Sequence, residues 1–421
     1  MGHRFLRPLL ASLAMGLALS QSARAQPETV PPWGRQLGGV TPASAQEPHK
    51  EAGEVHEEPA CEHGECEAKR PLFWIEAEYL LWFTRNGGAP VLLTRGQTTV
   101  PRPGAVDENG TKFIYGGPID FKDRSGGRFT AGVPFGPDGM FGVEATYFFL
   151  AARSVGTFAL SNGDPVLARP FFDAVNNRED SSLVSYPGVL KGAIDIKTSS
   201  FIHNGEVNLT ATLWEHEKNR LILLGGLRYL NLNEELRILE NATGDAGALQ
   251  FMGTNIAVAD RFAVNNDFYG GQVGGKFDFR FWDFNASLYA KVALGDSHEV
   301  LTVAGQTAAN TAIPINAPAG LFALSSNSGT FSRNTFAVVP EVGARFGMDI
   351  TKRLSVYVGY TFLYWSNVMR PGEQIDRGLN PNLIPTSVTF GMPGGPARPA
   401  PLLQSTGFYA HGLTLGLDFR Y

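Results

Sequence analysis

Both cysteines of the chain lie in one short acidic stretch, HEEPACEHGECEAKR, where thiol and imidazole groups could bind a metal. Cys61 and Cys66 alternate with His56 and His63, and thiolate with imidazole suits a soft metal ion. The C-x4-C spacing is not that of a standard zinc knuckle. A local disulfide is the favoured interpretation, because an exported protein meets an oxidising compartment. The alternative to the disulfide is a metal site formed by Cys61, His63 and Cys66.

Histidine is the usual general base of hydrolases, and four histidines follow this stretch. Catalysis needs the base within hydrogen-bond reach of a nucleophile or a water. The strand pattern described below puts His203 and His411 on a lipid-facing side and His216 in a short turn. Only His298, near a long loop, is then placed where a catalytic base could act. No G-x-S-x-G, H-E-x-x-H or Walker motif occurs. We therefore expect no enzyme, no catalytic residue and no cofactor.

A third group of chemically active residues lies in WSNVMRPGEQIDRGLNPNLIP, directly after an apolar run. Proline and glycine set turns there, and the charges can pair with one another, which predicts a folded loop packed over or into the mouth of a barrel. Binding of an external ligand or constriction of a pore is the alternative. The residues concerned are Arg370, Glu373, Asp376 and Arg377.

The elements that must position these residues are strands, as the closing stretch GFYAHGLTLGLDFRY shows. From Leu413 to Tyr421, apolar residues occupy every second position, and polar residues or glycines occupy the others. Since a strand turns successive side chains to opposite faces, one face is apolar and the other polar. A C-terminal strand ending on an aromatic residue resembles the assembly signal of outer-membrane barrels. That signal would comprise Leu415, Leu417, Phe419 and Tyr421.

Ten such runs follow residue 71, and the gaps between them alternate in length. The long gaps fall at 84–126, 151–200, 239–267, 295–334 and 366–406, and every other gap is a short turn. Long loops on one rim, short turns on the other and an even strand count are typical of bacterial outer-membrane barrels. The prediction is an all-β fold, a transmembrane antiparallel up-and-down barrel of about ten strands with long extracellular loops and short periplasmic turns. Twelve strands result if PVLLTRG or residues 299–304 join the wall. Pro340 predicts a bulge or a break in the eighth run.

The polar face of these runs carries many charges, which a sandwich core could hardly bury. We expect them to line the lumen as an ion-paired ladder. Ten strands enclose only a narrow space, whereas water-filled porins need about 16. The candidate lumen-facing residues are Glu144, Glu206, Lys276, Asp278, Arg280, Lys291, Glu341 and Arg345.

The first 70 residues differ from the rest of the chain. Arg4 and Arg7, an apolar run and the A-x-A site Ala23–Ala25 predict a cleaved signal peptide at 1–25. Residues 26–70 hold six prolines and nine glutamates against four lysines and arginines. Such a composition cannot bury enough surface to fold, so this segment is predicted to be a disordered acidic linker. The barrel domain is then 71–421.

Several blocks resemble the seventh putative beta-barrel porin family of bacterial outer-membrane proteins. They are GYTFLYWSNVMRPGEQID, NDFYGGQVGGKFDFRFWDFNASLYAKVALG, FWIEAEYLLWF with PVLLTRG, LLGGLRYLNLNEELRI and the closing strand. The resemblance runs from about residue 73 to the end and leaves the Cys/His segment outside. It implies an outer-membrane location and a barrel, and it supplies no catalytic residues.

These observations lead to one functional hypothesis with two alternatives. The chain is expected to be a porin-like channel, narrow or loop-plugged, that passes small solutes through the bacterial outer membrane. A structural or surface-display barrel without conductance is the first alternative, and an outer-membrane hydrolase the second. The expected partners are outer-membrane lipid and the barrel-assembly machinery, with no nucleic acid.

Overall fold

The computed structural model describes residues 71–421 except 217, 246, 248–251 and 312–313. The predicted signal peptide and the acidic linker with Cys61 and Cys66 lie outside the described residues. No described helix is long and apolar enough to cross a membrane. The strands are β1 (Trp74–Thr84), β2 (Gly87–Gly96), β3 (Lys112–Ile119), β4 (Asp123–Phe135), β5 (Phe141–Ser161), β6 (Val166–Asp173), β7 (Arg178–Ser185), β8 (Leu190–His216), β9 (Asn219–Gly244), β10 (Asn255–Phe281), β11 (Phe284–Ala309), β12 (Ile315–Ala317), β13 (Gly329–Asp349), β14 (Leu354–Met369), β15 (Gly378–Leu379) and β16 (Ser405–Arg420).

Ten of these strands close into a barrel. Around the ring the order is β1, β4, β5, β8, β9, β10, β11, β13, β14 and β16, and every neighbouring pair is antiparallel. β16 pairs back onto β1, from Trp74 opposite Arg420 to Thr84 opposite Ala410. The all-β barrel of ten strands is therefore confirmed. PVLLTRG lies in β2, outside the wall, and residues 299–304 belong to β11.

The connections alternate as the sequence predicts, but the strands are longer than expected. The four short turns and both ends of the barrel domain lie at one end, which we name the short-turn end. β8 and β10 each have 27 residues, and both continue far into segments that the sequence predicts as loops. The long connections also contain strands of their own, because β15, β6, β2 and β3 form a second sheet, with β7 paired to β6.

Two belts of aromatic rings surround the outside of the barrel. In the belt nearer the long connections, His203 packs against Tyr147 and Tyr229 at centroid distances of 6.2 and 5.6 Å. In the belt at the short-turn end, Trp214 stacks on Phe277. His203 and Trp214 are 11 positions apart on β8, which at roughly 3.3 Å per residue and a tilt near 40° is about 28 Å of height. Aliphatic side chains are exposed between the belts, among them Leu209, Leu213, Leu227, Val273, Leu288 and Leu415.

Beyond the belt nearer the long connections, which we name the upper belt, the polar residues lie on the outer face and the apolar residues on the inner face. The outer face of β8 there carries Lys191, Asp195 and Lys197, all exposed, while Ile194 and Ile196 on the inner face are fully buried. Only β5, β8, β9, β10, β11 and β13 extend to this level, so they form an open sheet. Their inner face shares one apolar core with residues of the second sheet, including Leu92, Leu167 and Val184.

Pro340 does not produce the expected bulge or break. β13 runs without interruption from Gly329 to Asp349, and Pro340 pairs with Val292 of β11 without a register shift. On its other side, the pairing of β13 with β14 ends at Glu341 opposite Leu363. The proline thus lies where the ladder with one neighbour has already ended, so the missing N–H need not disrupt the wall.

The last residues of the chain complete the seam between β1 and β16. Tyr421 N–H donates to the carbonyl of Phe73 at 3.1 Å, and the two rings stack at 5.5 Å. Arg353 lies 4.8 Å from the centroid of the Tyr421 ring. Of the predicted assembly residues, all four project outward and are partly exposed. Their role as a signal stays a prediction.

Deleting Tyr421, or replacing Phe419→Asp, should sharply lower the yield of folded barrel, because either change removes an outward apolar group from the strand that closes the ring. Folded protein is measured as the heat-sensitive fast band on gels of membrane fractions. Phe113→Asp is the control, since Phe113 is exposed on β3, outside the wall. A normal yield of folded barrel from both variants would contradict the predicted role of these residues as an assembly signal.

Candidate functional site

A layer of ion pairs crosses the barrel interior within the height of the lipid-facing band. Lys291 lies 2.8 Å from Glu206 and 3.6 Å from Glu341. Arg228 lies 2.8 Å from Glu341 and 3.5 Å from Glu206. These three side chains are at most 1% exposed, whereas Lys291, at 11%, reaches the cavity below. Arg345 continues the network toward β1, and the structure thereby brings four of the predicted lumen charges together: Glu206, Lys291, Glu341 and Arg345.

Several members of this layer are absent from the predicted set. Glu76 and Glu78 both pair with Arg345, at 2.7 and 2.9 Å, and Arg128 lies 3.4 Å from Glu341. The alternation of β1 places both glutamates on the polar face, which is a signal that could have found them. Arg228 could not be assigned in this way, because β9 carries apolar residues on both faces around it.

The other predicted lumen charges lie nearer the short-turn end. Asp278 lies 3.3 Å from Arg220 and 3.7 Å from Lys276. Glu144 accepts a hydrogen bond from Asn208 Nδ2 at 3.1 Å. Arg280, at the rim, is exposed and makes no ion pair among the described residues. These groups surround a vestibule of two adjoining cavities, each of about 220 Å³.

An apolar layer lies directly above the ion pairs. Trp82, Phe148, Phe268 and Trp365 project inward from four strands and are almost completely buried. Trp82 packs on Phe148 at 5.4 Å, and Phe268 meets Trp365 edge-on at 6.1 Å. Arg128 joins the two layers, because its guanidinium lies 5.2 Å from the Trp82 centroid. The interior is therefore filled at this height by side chains of the wall itself.

The predicted loop cluster does not form one site. Arg370 enters the barrel, where its guanidinium makes two hydrogen bonds to Glu234, one of 3.0 Å, and lies 5.7 Å from the Phe408 centroid. Asp376 instead pairs with Arg398 at 2.5 Å. Arg377 pairs with Glu179 of β7 at 2.6 Å.

Glu373 is half-buried beside Gly88. Burial raises the pKa of its carboxyl above the ordinary value, and the charge of Arg370 opposes that shift. Together with the separate ion pairs of Arg370, Asp376 and Arg377, this arrangement describes a folded, charge-paired loop that reaches into the barrel mouth. It does not describe a free binding surface.

None of the four histidines that the structure describes lines the vestibule. His203 and His411 lie in the upper aromatic belt, and His298, the one histidine that the sequence leaves open for catalysis, is on the outer face, where Nδ1 is 2.6 Å from Asn334. His216 is exposed at the end of β8. Among the described residues no group of His, Cys, Asp and Glu could hold a metal ion, and Cys61, His63 and Cys66 lie outside them.

A family model described as putative beta barrel porin-7 matches residues 74–421. The chain belongs to this family. The match begins at the first residue of β1 and covers every wall strand, so the family assignment and the closed ring describe the same part of the chain. No curated protein matches the sequence.

Solved structures of barrels show distant similarity to this porin-7 family member. The outer membrane protease OmpT of Escherichia coli aligns with a TM-score of 0.41 and 10% identity, over 83% of this chain and 96% of its own. A FadL homologue of Pseudomonas aeruginosa aligns with a TM-score of 0.21 and 8% identity, over 84% and 90%. At these scores neither similarity bears on function.

The ion-pair layer yields a stability prediction. Glu341→Gln should lower the free energy of unfolding by about 3–5 kcal/mol, because Arg128, Arg228 and Lys291 lose a shared carboxylate in a water-poor interior. The measurement is urea unfolding of the purified barrel in detergent. Glu235→Gln is the control, since its partners Arg237 and Arg261 are exposed on the outer face, and it should cost less than about 1 kcal/mol. Equal losses of unfolding free energy in the two variants would mean that the ion pairs of the layer are not shielded from water.

Proposed function

We propose that the protein is a closed outer-membrane barrel, which anchors a folded β structure at the cell surface and offers no diffusive path across the membrane. One observation carries the proposal: a layer of buried ion pairs and a layer of buried aromatic rings, both supplied by the wall, fill the lumen in succession. A plug made of wall residues cannot leave without deforming the barrel.

The outer surface of the wall supports the proposed outer-membrane location. An apolar band about 28 Å high, bounded by aromatic belts, matches the band of roughly 25 Å that lipid-facing barrels expose. The predicted signal peptide and the family agree with it. In this orientation the short turns face the periplasm, and the second sheet with the extended strands lies outside the cell.

Energetics favour a closed state. Separating two of the buried ion pairs costs about 6–10 kcal/mol if each costs about 3–5. At about 1.4 kcal/mol for each factor of ten, the open population would stay below about one in ten thousand. Moving Trp82 or Trp365 aside would add to this cost, because buried aromatic packing contributes several kcal/mol for each ring.

A narrow porin-like channel for small solutes is the second candidate. The vestibule favours it, since charged cavities reach from the short-turn end to the ion-pair layer, and the family bears the name of porins. Under this alternative the loop of Arg370 would be a removable plug, and the wall layers would have to rearrange.

We also propose that the protein has no catalytic activity. The support is the placement of His203, His298 and His411 on the outer wall, away from the vestibule. Among the described residues, a hydrolase would therefore have no histidine base at the cavity.

Fractionation of cells by density should place the mature protein, beginning at Gln26, with outer-membrane markers. Mass spectrometry gives the N-terminus, and the shift between boiled and unboiled samples reports the folded barrel. Recovery as a soluble periplasmic protein would contradict the proposed location.

Planar-bilayer recordings distinguish the two candidates. The side-chain amide of Gln374 makes two hydrogen bonds to the main chain of Gln404: it donates to the carbonyl at 2.7 Å and accepts from the N–H at 3.0 Å. Residues 375–403 can therefore be replaced by a short glycine–serine linker. Both the intact protein and this variant should show no conductance, or only a small one, because the wall layers remain. Adding Trp82→Ala, Phe148→Ala and Trp365→Ala to the loop variant should increase the conductance.

Large conductance after loop replacement alone would overturn the closed-wall proposal and favour the loop-plugged channel. Circular dichroism and the gel shift on heating serve as controls for folding of each variant.

A further inference from the structure

The vestibule has two kinds of lining. On one side it is apolar, with Trp74, Ile222 and Leu224 facing the cavity. On the other it is rich in charge. Ile222 lies directly opposite Lys276 in the pairing of β9 with β10, so the two linings meet at this pair of residues.

The vestibule carries charges of both signs. Among the described residues, six cationic and four anionic side chains line the cavity that contains the apolar lining, and two of the cations, Arg128 and Lys291, already pair with Glu341 in the ion-pair layer. Of the carboxylates, Glu76 is engaged by Arg345 and Asp418 by Arg420. Glu215 lies at the exposed end of β8 and makes interactions of its own.

Near the boundary with the apolar lining, two cations share one carboxylate. Asp278 is 3.3 Å from Arg220 and 3.7 Å from Lys276, and Lys276 is 29% exposed. Arg280, on the same face of β10, lines the adjoining cavity without an ion pair among the described residues. Glu144 is the opposing group, but it lies on β5, across the cavity, with Asn208. On β9 and β10 beside Ile222, the described residues therefore present three cations, Arg220, Lys276 and Arg280, with the carboxylate of Asp278 among them.

We propose that the vestibule binds a small amphipathic organic acid, with its carboxylate between Lys276 and Arg220 and its apolar body against Ile222, Leu224 and Trp74. A charge-assisted hydrogen bond in a half-buried cavity holds the acid group, and the apolar side chains supply the rest of the affinity. The site opens at the short-turn end, so binding does not depend on whether the barrel conducts.

The test is calorimetric titration of the full-length protein in lipid nanodiscs, with benzoate as the probe. Benzamide, which keeps the ring and lacks the charge, and acetate, which keeps the charge and lacks the ring, should each bind at least about tenfold more weakly. Lys276→Gln should weaken benzoate by a similar factor. Lys352→Gln is the matched control, because Lys352 is exposed in the turn before β14 and lies outside both cavities.

Asp278→Asn should strengthen benzoate binding, because it removes the carboxylate that competes for the same two cations. The proposal is overturned if benzoate and benzamide bind equally, which would indicate partition into lipid. It is also overturned if Lys276→Gln binds benzoate as well as Lys352→Gln does. Equal affinity for acetate and benzoate would contradict the proposed contact between the apolar body of the ligand and the apolar lining.

Discussion

Closure of the wall is the constraint on which the rest of the structure depends. Lipid offers no partner to a backbone N–H or C=O, so each strand that crosses it must be paired on both sides. β16 meets this requirement by pairing along the whole of β1. A ring of only ten strands leaves little space inside. Side chains from opposite walls therefore meet, and the lumen is filled because the ring is small.

The filling also fixes the register of the wall. A slip of one residue would turn Glu206 and Arg228 into the lipid and Val207 and Leu227 into the lumen. Buried ion pairs gain little net stability over apolar packing, but they penalise such errors strongly. Glycines help to accommodate the large inward rings: Tyr289 lies against Gly343 and Tyr357 against Gly416, where a Cβ would lie closer than 3 Å to the ring. Such pairs let an aromatic side chain lie flat against the wall.

The sequence predicted the wall well where its two sides face different solvents. Between the belts, lipid outside and ion pairs inside produce a clean alternation, and the ten runs follow from it. The alternation fades in LILLGGLRYLNL, because Leu230 and Leu232 line the apolar layer inside while Leu227 faces lipid. Above the upper belt the polar residues lie on the outer face and the apolar residues on the inner face. The sequence pattern therefore predicts loops where the strands in fact continue. Partnerships such as Arg228 with Glu341 join positions 113 residues apart, which no local pattern can reveal.

The part above the belts is a folded structure in its own right, and its core explains why the strands are so long. Six strands leave the lipid as an open sheet with an apolar inner face, which must be covered in water. The second sheet covers it, and buried polar contacts fasten the connections to the wall. Asp260 Oδ1 accepts the N–H groups of Leu321, Phe322 and Ala323 at 2.8–3.0 Å, and its other oxygen meets Arg169 at 2.5 Å. Because the second sheet and the wall share these strands and this core, a force on the second sheet would act directly on the barrel, as the proposed anchoring role requires.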